Sequence, residues 1–243
     1  MSVAENLQRV KAQIEASAAR SAREGSAIQL VAVSKTFSAD DVSPLVELGH
    51  STFGENYAQE GRAKVDLLRE RFPDRRLSFH FIGRLQRNKV RDIVGRFDVI
   101  QSVDRPELAR AIDAESSRVG AIQEICIQVN VSDEPQKGGV PQEAVEPLIA
   151  LCSTLPALKI IGLMMIGKLF GARENESMVR GEFQQLRELR DRLQRLTAVP
   201  LPELSMGMSG DFDWAIEEGA TIVRVGSAIF GSRAKAGEHN EIG

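Results

Sequence analysis

The chain has 243 residues, 42% of them hydrophobic, with 31 basic and 34 acidic side chains and a net charge of −3. That is enough apolar sequence for a large core, and near-balanced charge with 5% aromatics argues against a basic, base-stacking nucleic-acid surface. No run is long and apolar enough for a membrane span, and MSVAENLQRVK lacks the apolar stretch of a secretory leader, so a soluble cytoplasmic protein is expected.

Val3, Leu7, Val10 and Ile14 recur at helical spacing and predict a first helix, with Gly25 as its stop. Eight short apolar runs follow, at 28–34, near 51–53, and at 77–82, 98–102, 124–131, 158–166, 204–206 and 221–225. Amphipathic stretches separate them. One opens on Ser38-x-x-Asp41, close to a capping box, and the longest carries Phe183, Leu186, Leu189, Leu193 and Leu196. Gly49 and Gly219 stand where helices should stop.

Continuous apolar strands alternating with amphipathic helices imply a parallel sheet under helices. Eight such units in this length predict an α/β fold, a (β/α)8 TIM barrel with an extra N-terminal helix. An open doubly wound sheet is the rival, but no G-x-G-x-x-G follows the first run. No linker or repeat interrupts the chain, so one domain over 1–243 is expected, with a mobile loop at 169–176 and a frayed tail at 234–243.

Cys126 and Cys152 fall in apolar runs without a CxxC pattern and read as buried small hydrophobes. His50, His80 and His239 lack ligand spacing, so no metal site is expected.

In such a barrel, chemistry sits where strands end. The chain puts Lys35 after the first run, Glu55, Asn56 and Tyr57 after the second, and His80 and Gly83 at the third. Ser102 and Asp104 follow the fourth, Asn130, Ser132 and, further on, Lys137 the fifth, and Met164 and Met165 end the sixth. Ser205, Met208 and Ser209 lie at the seventh, and Arg224, Gly226 and Ser227 at the eighth.

Each has a plain alternative. Lys35 is either the point where a strand meets water or an amine that forms an imine with an aldehyde. Ser209 and the Gly226-Ser227 pair are either a helix cap and a tight turn or a phosphate cradle of backbone amides and a hydroxyl. Arg224, among apolar strand residues, needs a partner, either a carboxylate inside the barrel or a ligand atom. His80, between two phenylalanines, reads first as a satisfied core histidine, and Met164-Met165 as packing.

Together LVAVSKTF (30–37), FGENYAQE (53–60), FHFIGRLQRNK (79–89), QVNVSDEPQKGG (128–139) and LSMGMSGDFDWAIEEGATIVRVGSAIFG (204–231) resemble the pyridoxal phosphate homeostasis family, single-domain relatives of the alanine racemase N-terminal barrel. The resemblance implies that Lys35 forms an aldimine with pyridoxal 5′-phosphate. It implies that Ser209, Gly226 and Ser227 hold the phosphate, that Met208 lies at the cofactor's edge, that Arg224 faces the pyridine nitrogen, and that Asn56 lines the pocket. An arginine there donates and stays charged, which disfavours a protonated ring and makes it a poorer electron sink. Arg84, Met165 and Gly167 depart from the family pattern at the pocket rim.

Racemases of this fold need acid–base groups on both faces of the substrate carbon. In the related racemases the second is a tyrosine of a separate C-terminal β domain, for which this chain leaves no room after its last strand. A binding role is therefore expected, holding pyridoxal phosphate and handing it to apo enzymes that depend on it. The alternatives are a weak racemase using Lys35 with Tyr57 or His80, and a Schiff-base aldolase acting on a sugar phosphate. A monomer is expected. Lys137, in a glycine-rich loop, is either a solvated lysine or a second amine that accepts the aldehyde from Lys35.

Overall fold

Strands buried on both faces must close on themselves or be covered, and here they do both. The computed structural model describes residues 2–132, 138–167 and 175–231. Its strands are β1 (Gln29–Val33), β2 (Thr52–Glu55), β3 (Ser78–Phe81), β4 (Val99–Val103), β5 (Gln123–Asn130), β6 (Val140–Pro141), β7 (Leu158–Met164), β8 (Glu203–Ser205) and β9 (Ile222–Val225). The helices are α1 (Val3–Arg20), α2 (Ala39–Glu47), α3 (Ala58–Arg71), α4 (Val90–Ile93), α5 (Pro106–Val119), α6 (Gln142–Cys152), α7 (Glu176–Thr197), α8 (Phe212–Glu217) and α9 (Ser227–Phe230).

The sheet order is β4-β3-β2-β1-β9-β8-β7-β5, and pairing of β4 with β5 closes the ring. Every pairing is parallel, so this is the expected eight-stranded (β/α)8 barrel with its added N-terminal helix. The two-residue β6 adds to β5 outside the ring, with Val129 opposite Val140, and is too short to leave a period in the sequence.

Alternation along the strands divides the interior into two parts. Leu30, Ala32, Phe53, Phe79, Phe81, Ile125, Ile127, Leu204, Val223 and Val225 join the large core that includes the helices' apolar faces. Inside the ring, Val99, Cys126, Ile161 and Met164 form a small separate cluster. Buried His80, Gln101, Ser205 and Arg224 share that space, so the barrel's centre is partly polar.

Local chemistry sets most boundaries. Ser38 and Asp41 form the capping box that starts α2, and Gly49 and Gly219 turn the chain with positive φ after α2 and α8. Gly25 does not stop α1. The helix ends at Arg20, where Ala22 takes a left-handed conformation (φ 54°) and Arg23 N–H closes onto Ala18 C=O at 2.9 Å. Gly25 instead opens a 3-10 turn, Gly25–Ala27, packed so closely on the Glu15 carboxylate that a Cβ would overlap it. The expected mobile loop (apart from its ends at 175 and 176), the tail over 234–243 and Lys137 lie outside the described residues.

Candidate functional site

Lys35 stands immediately past β1, at the end of the barrel where the strands' C-termini open. Its side chain is exposed, while Ser34 before it is fully buried. Ala32 of β1 pairs with Val225 of β9, so Gly226 and Ser227 continue directly beside the segment that leads to Lys35. The approach is tight: a Cβ at Gly226 would sit 3.3 Å from Val33. A primary amine and the start of a glycine-serine turn thus neighbour each other across one strand pair.

Opposite that turn, the loop after β8 brings in Ser209. Its Oγ accepts from the Gly226 N–H at 3.2 Å and the Ala228 N–H at 3.3 Å, so these two amides converge on one oxygen. Convergent amides at the start of α9 are the geometry that favours an anion's oxygens. Ser209 is therefore not the cap of α8; Asp211 holds that position, and its carboxylate accepts from Met208 N–H at 2.6 Å. Gly207 gives the loop its turn with φ +91°, and a Cβ there would press on Ala215 Cβ at 2.6 Å. Met208 is half-buried and Ser227 exposed.

Arg224, on β9, is buried, and no carboxylate among the described residues lies within ion-pair distance, so of its two readings the one with a carboxylate inside the barrel does not hold there. Neutral groups hold it instead. Nη1 donates to Ser205 Oγ and Nη2 to Met165 C=O, both at 2.6 Å. Ser205 Oγ donates in turn to Gln101 Oε1 at 2.6 Å, and Gln101 Nε2 to His80 Nδ1 at 2.7 Å. Four strands thus supply one chain of hydrogen bonds running outward from the guanidinium. Burial pushes Arg224 down to about 10, with Asp211 and Cys126 opposing, so it stays a cation at neutral pH. Burial also pushes His80 down to about 4, which matches an imidazole that accepts at Nδ1.

His80 is the satisfied core histidine of the plain reading. It borders a cavity of about 610 Å³ whose lining includes Gln29, Ser78, Gln123 and Ile222, the first residues of four strands. That is the end of the barrel opposite Lys35. At the Lys35 end, Asn56, Tyr57, Arg84 and Lys89 border a cavity of about 320 Å³. The buried Asn56 Oδ1 has no hydrogen-bond partner there, and Tyr57 is 54% exposed.

Sequence reasoning placed Glu55 at this mouth but missed Lys64 and Glu60 behind Lys35. Lys64 of α3 is buried and its ammonium donates to Ser34 C=O (2.6 Å), Glu55 Oε1 (2.8 Å) and Glu60 Oε1 (3.1 Å). Glu55 Oε1 also accepts from Ser34 Oγ at 2.6 Å, and burial raises the Glu55 carboxyl despite the opposing Lys64 charge. The spacing Glu60–Lys64 reads as an ordinary helix-surface pair, and nothing local tells that it is buried against two strand ends. Cys126 and Cys152 are buried free thiols, both pushed up by desolvation, as expected of packing residues.

Fold and site together define a (β/α)8 barrel that carries a lysine beside an amide-lined turn at one mouth and a buried arginine beneath them. The family model for the alanine racemase N-terminal domain matches residues 5–234. The chain is 42% identical to the pyridoxal phosphate homeostasis protein of Aquifex aeolicus, over 96% of this chain and 99% of that one. Among solved structures it resembles an unknown protein from Bifidobacterium adolescentis (33% identity, TM-score 0.87, 93% and 94% covered). It also resembles PipY of Synechococcus elongatus with pyridoxal phosphate bound (34% identity, TM-score 0.78, 94% and 100% covered). The chain belongs to the alanine racemase N-terminal domain family, among the pyridoxal phosphate homeostasis proteins.

Proposed function

We propose that this protein binds pyridoxal 5′-phosphate at the C-terminal mouth of the barrel and serves intracellular homeostasis of that cofactor. The observation that carries the reading is the register of β1 on β9, which sets Lys35 beside Gly226 and Ser227. An amine for an aldehyde and amides for a phosphate are thereby a few residues apart across a strand pair. The nearly full-length relatives of that name support the same reading.

The residues present fit the group. When bound, the cofactor supplies an electrophilic aldehyde on a pyridine ring that carries a phosphate. Lys35, exposed and with no hydrogen bond from its ammonium to a described residue, offers the amine for covalent attachment. Ser209, Gly226 and Ser227 offer hydroxyl and amide donors to the phosphate, and Met208 borders it. Arg224, fixed by Ser205 and Met165, has further N–H donors for the ring nitrogen. The unpartnered Asn56 Oδ1 fits a pocket wall that meets a polar ligand.

Holding, rather than turnover, is the role we assign. His80 is engaged deep in the barrel and faces the other end, so it offers no acid–base group at the mouth. We further propose that the protein acts as a cytoplasmic monomer that passes cofactor to apo enzymes. Among the described residues the exposed large apolar side chains, Leu48, Tyr57, Leu67, Val119, Ile122, Met178 and Leu196, are scattered over several elements, and no described helix is long and apolar enough to cross a membrane.

Titration with pyridoxal phosphate, followed by near-visible absorbance, tests the reading. Wild type should develop a saturable, lysine-dependent band and Lys35→Ala should not. Identical titrations for the two proteins would contradict it.

A further inference from the structure

The segment around Lys35 is held from both sides by one ion network centred on the buried Lys64, while the Lys35 ammonium makes no hydrogen bond to a described residue. Ser34, just before it, donates its N–H to Gly54 C=O (3.0 Å), and its C=O accepts from Lys64. Thr36, just after it, donates its N–H to Glu60 Oε1, the atom that also accepts from Lys64. Thr36 sits at φ +70°, in the left-handed region that a β-branched residue disfavours. Phe37 then stacks on Phe230 of α9, with ring centroids 4.6 Å apart.

A buried ion pair is a poor source of net stability, because desolvation offsets its attraction. Lys64 and Glu55 are 4% and 0% exposed at their side chains, so a positional role is the better account of why charges are kept there. Each of the three Lys64 hydrogens reaches a different element: the end of β1, the end of β2 and the first turn of α3.

We propose that Glu60, oriented by Lys64, is a positioning residue for Lys35: it clamps Thr36 in its left-handed conformation, and that turn aims the Lys35 amine at the aldehyde. The inference rests on the proposed binding of pyridoxal phosphate. Condensation joins the lysine nitrogen to the aldehyde carbon and releases the aldehyde oxygen as water, so its rate depends on how often the amine stands at the carbon.

The test compares wild type, Glu60→Ala, Glu60→Gln, Thr36→Gly and the double variant Glu60→Ala/Thr36→Gly, with two readouts. Amide hydrogen exchange at residues 34–37 needs no cofactor; borohydride-trapped pyridoxal phosphate on Lys35 measures capture rate. Glu60→Ala should speed exchange and slow capture, each on the order of tenfold, the scale of the left-handed cost for a non-glycine residue. Glu60→Gln keeps an acceptor for Thr36 N–H and should stay within about twofold of wild type. Glycine accepts positive φ freely, so Thr36→Gly should restore capture to the Glu60→Ala protein.

Unchanged exchange in Glu60→Ala, or a slow double variant, would overturn the clamp. If wild type exchanges as expected but captures nothing, the clamp of Thr36 stands and the cofactor assignment fails.

Discussion

Ser205 is a small side chain with a large share of the barrel's polar interior. It accepts from Arg224 and donates to Gln101, both at 2.6 Å, with no exposure to water. Ser205→Ala should leave one arginine N–H and the Gln101 carbonyl without their partner in a dry interior. The expected loss is about 1–3 kcal/mol in urea unfolding, and a change under about 0.5 kcal/mol would contradict the network. Arg224 was readable in the sequence as a charge that needed a partner. Which partner was not, because Ser205, Gln101 and His80 lie on β8, β4 and β3, and only closure of the ring brings them together. Lys35, Ser209, Gly226 and Ser227 were legible as candidates for the opposite reason: each lies within three residues of the end of an apolar run, and strand ends are where a barrel puts its chemistry.

The loop from β8 to α8 depends on its backbone. Gly207 combines φ +91° with a neighbour that leaves no room for a Cβ, and its C=O accepts from Arg224 N–H at 3.0 Å. Gly207→Ala should therefore cost more than the strain alone, on the order of 2 kcal/mol or above, and should displace Ser209 from the Gly226 and Ala228 amides. Thermal unfolding and the chemical shifts of those two amides check it; a variant with wild-type Tm and unmoved shifts would refute the argument. Most elements were visible in the sequence because strands covered on both faces read as continuous apolar runs. The exceptions have local causes. Gly25 looked like a helix stop, but a left-handed Ala22 ended α1 earlier, and β6 is two residues long.

Over the whole molecule, two histidines tie stability to pH. His50 and His80 are buried, and desolvation pushes each from 6.5 to about 4. His50 Nε2 lies 2.8 Å from Thr52 C=O. Because the folded state favours the neutral ring, their contribution is present above pH 6.5 and is lost as pH falls through 4. A shift of that size corresponds to roughly 3 kcal/mol per group at full effect. The Glu55 and Asp211 carboxyls are raised by burial and act in the opposite direction, so the histidine share is best read by difference. His80→Asn should flatten the fall in unfolding free energy between pH 7 and pH 5 relative to wild type. Parallel curves for the two proteins would show that His80 charges as easily in the fold as in the open chain.

We propose that one lysine, Lys35, placed by the β1–β9 register, takes the aldehyde of pyridoxal phosphate. Borohydride reduction of the loaded protein, followed by proteolysis and mass mapping of its eight lysines, tests it most directly. One modified peptide, carrying Lys35, is expected at a stoichiometry near one per chain. Label spread across surface lysines, or concentrated on another lysine with Lys35 unmodified, would contradict it.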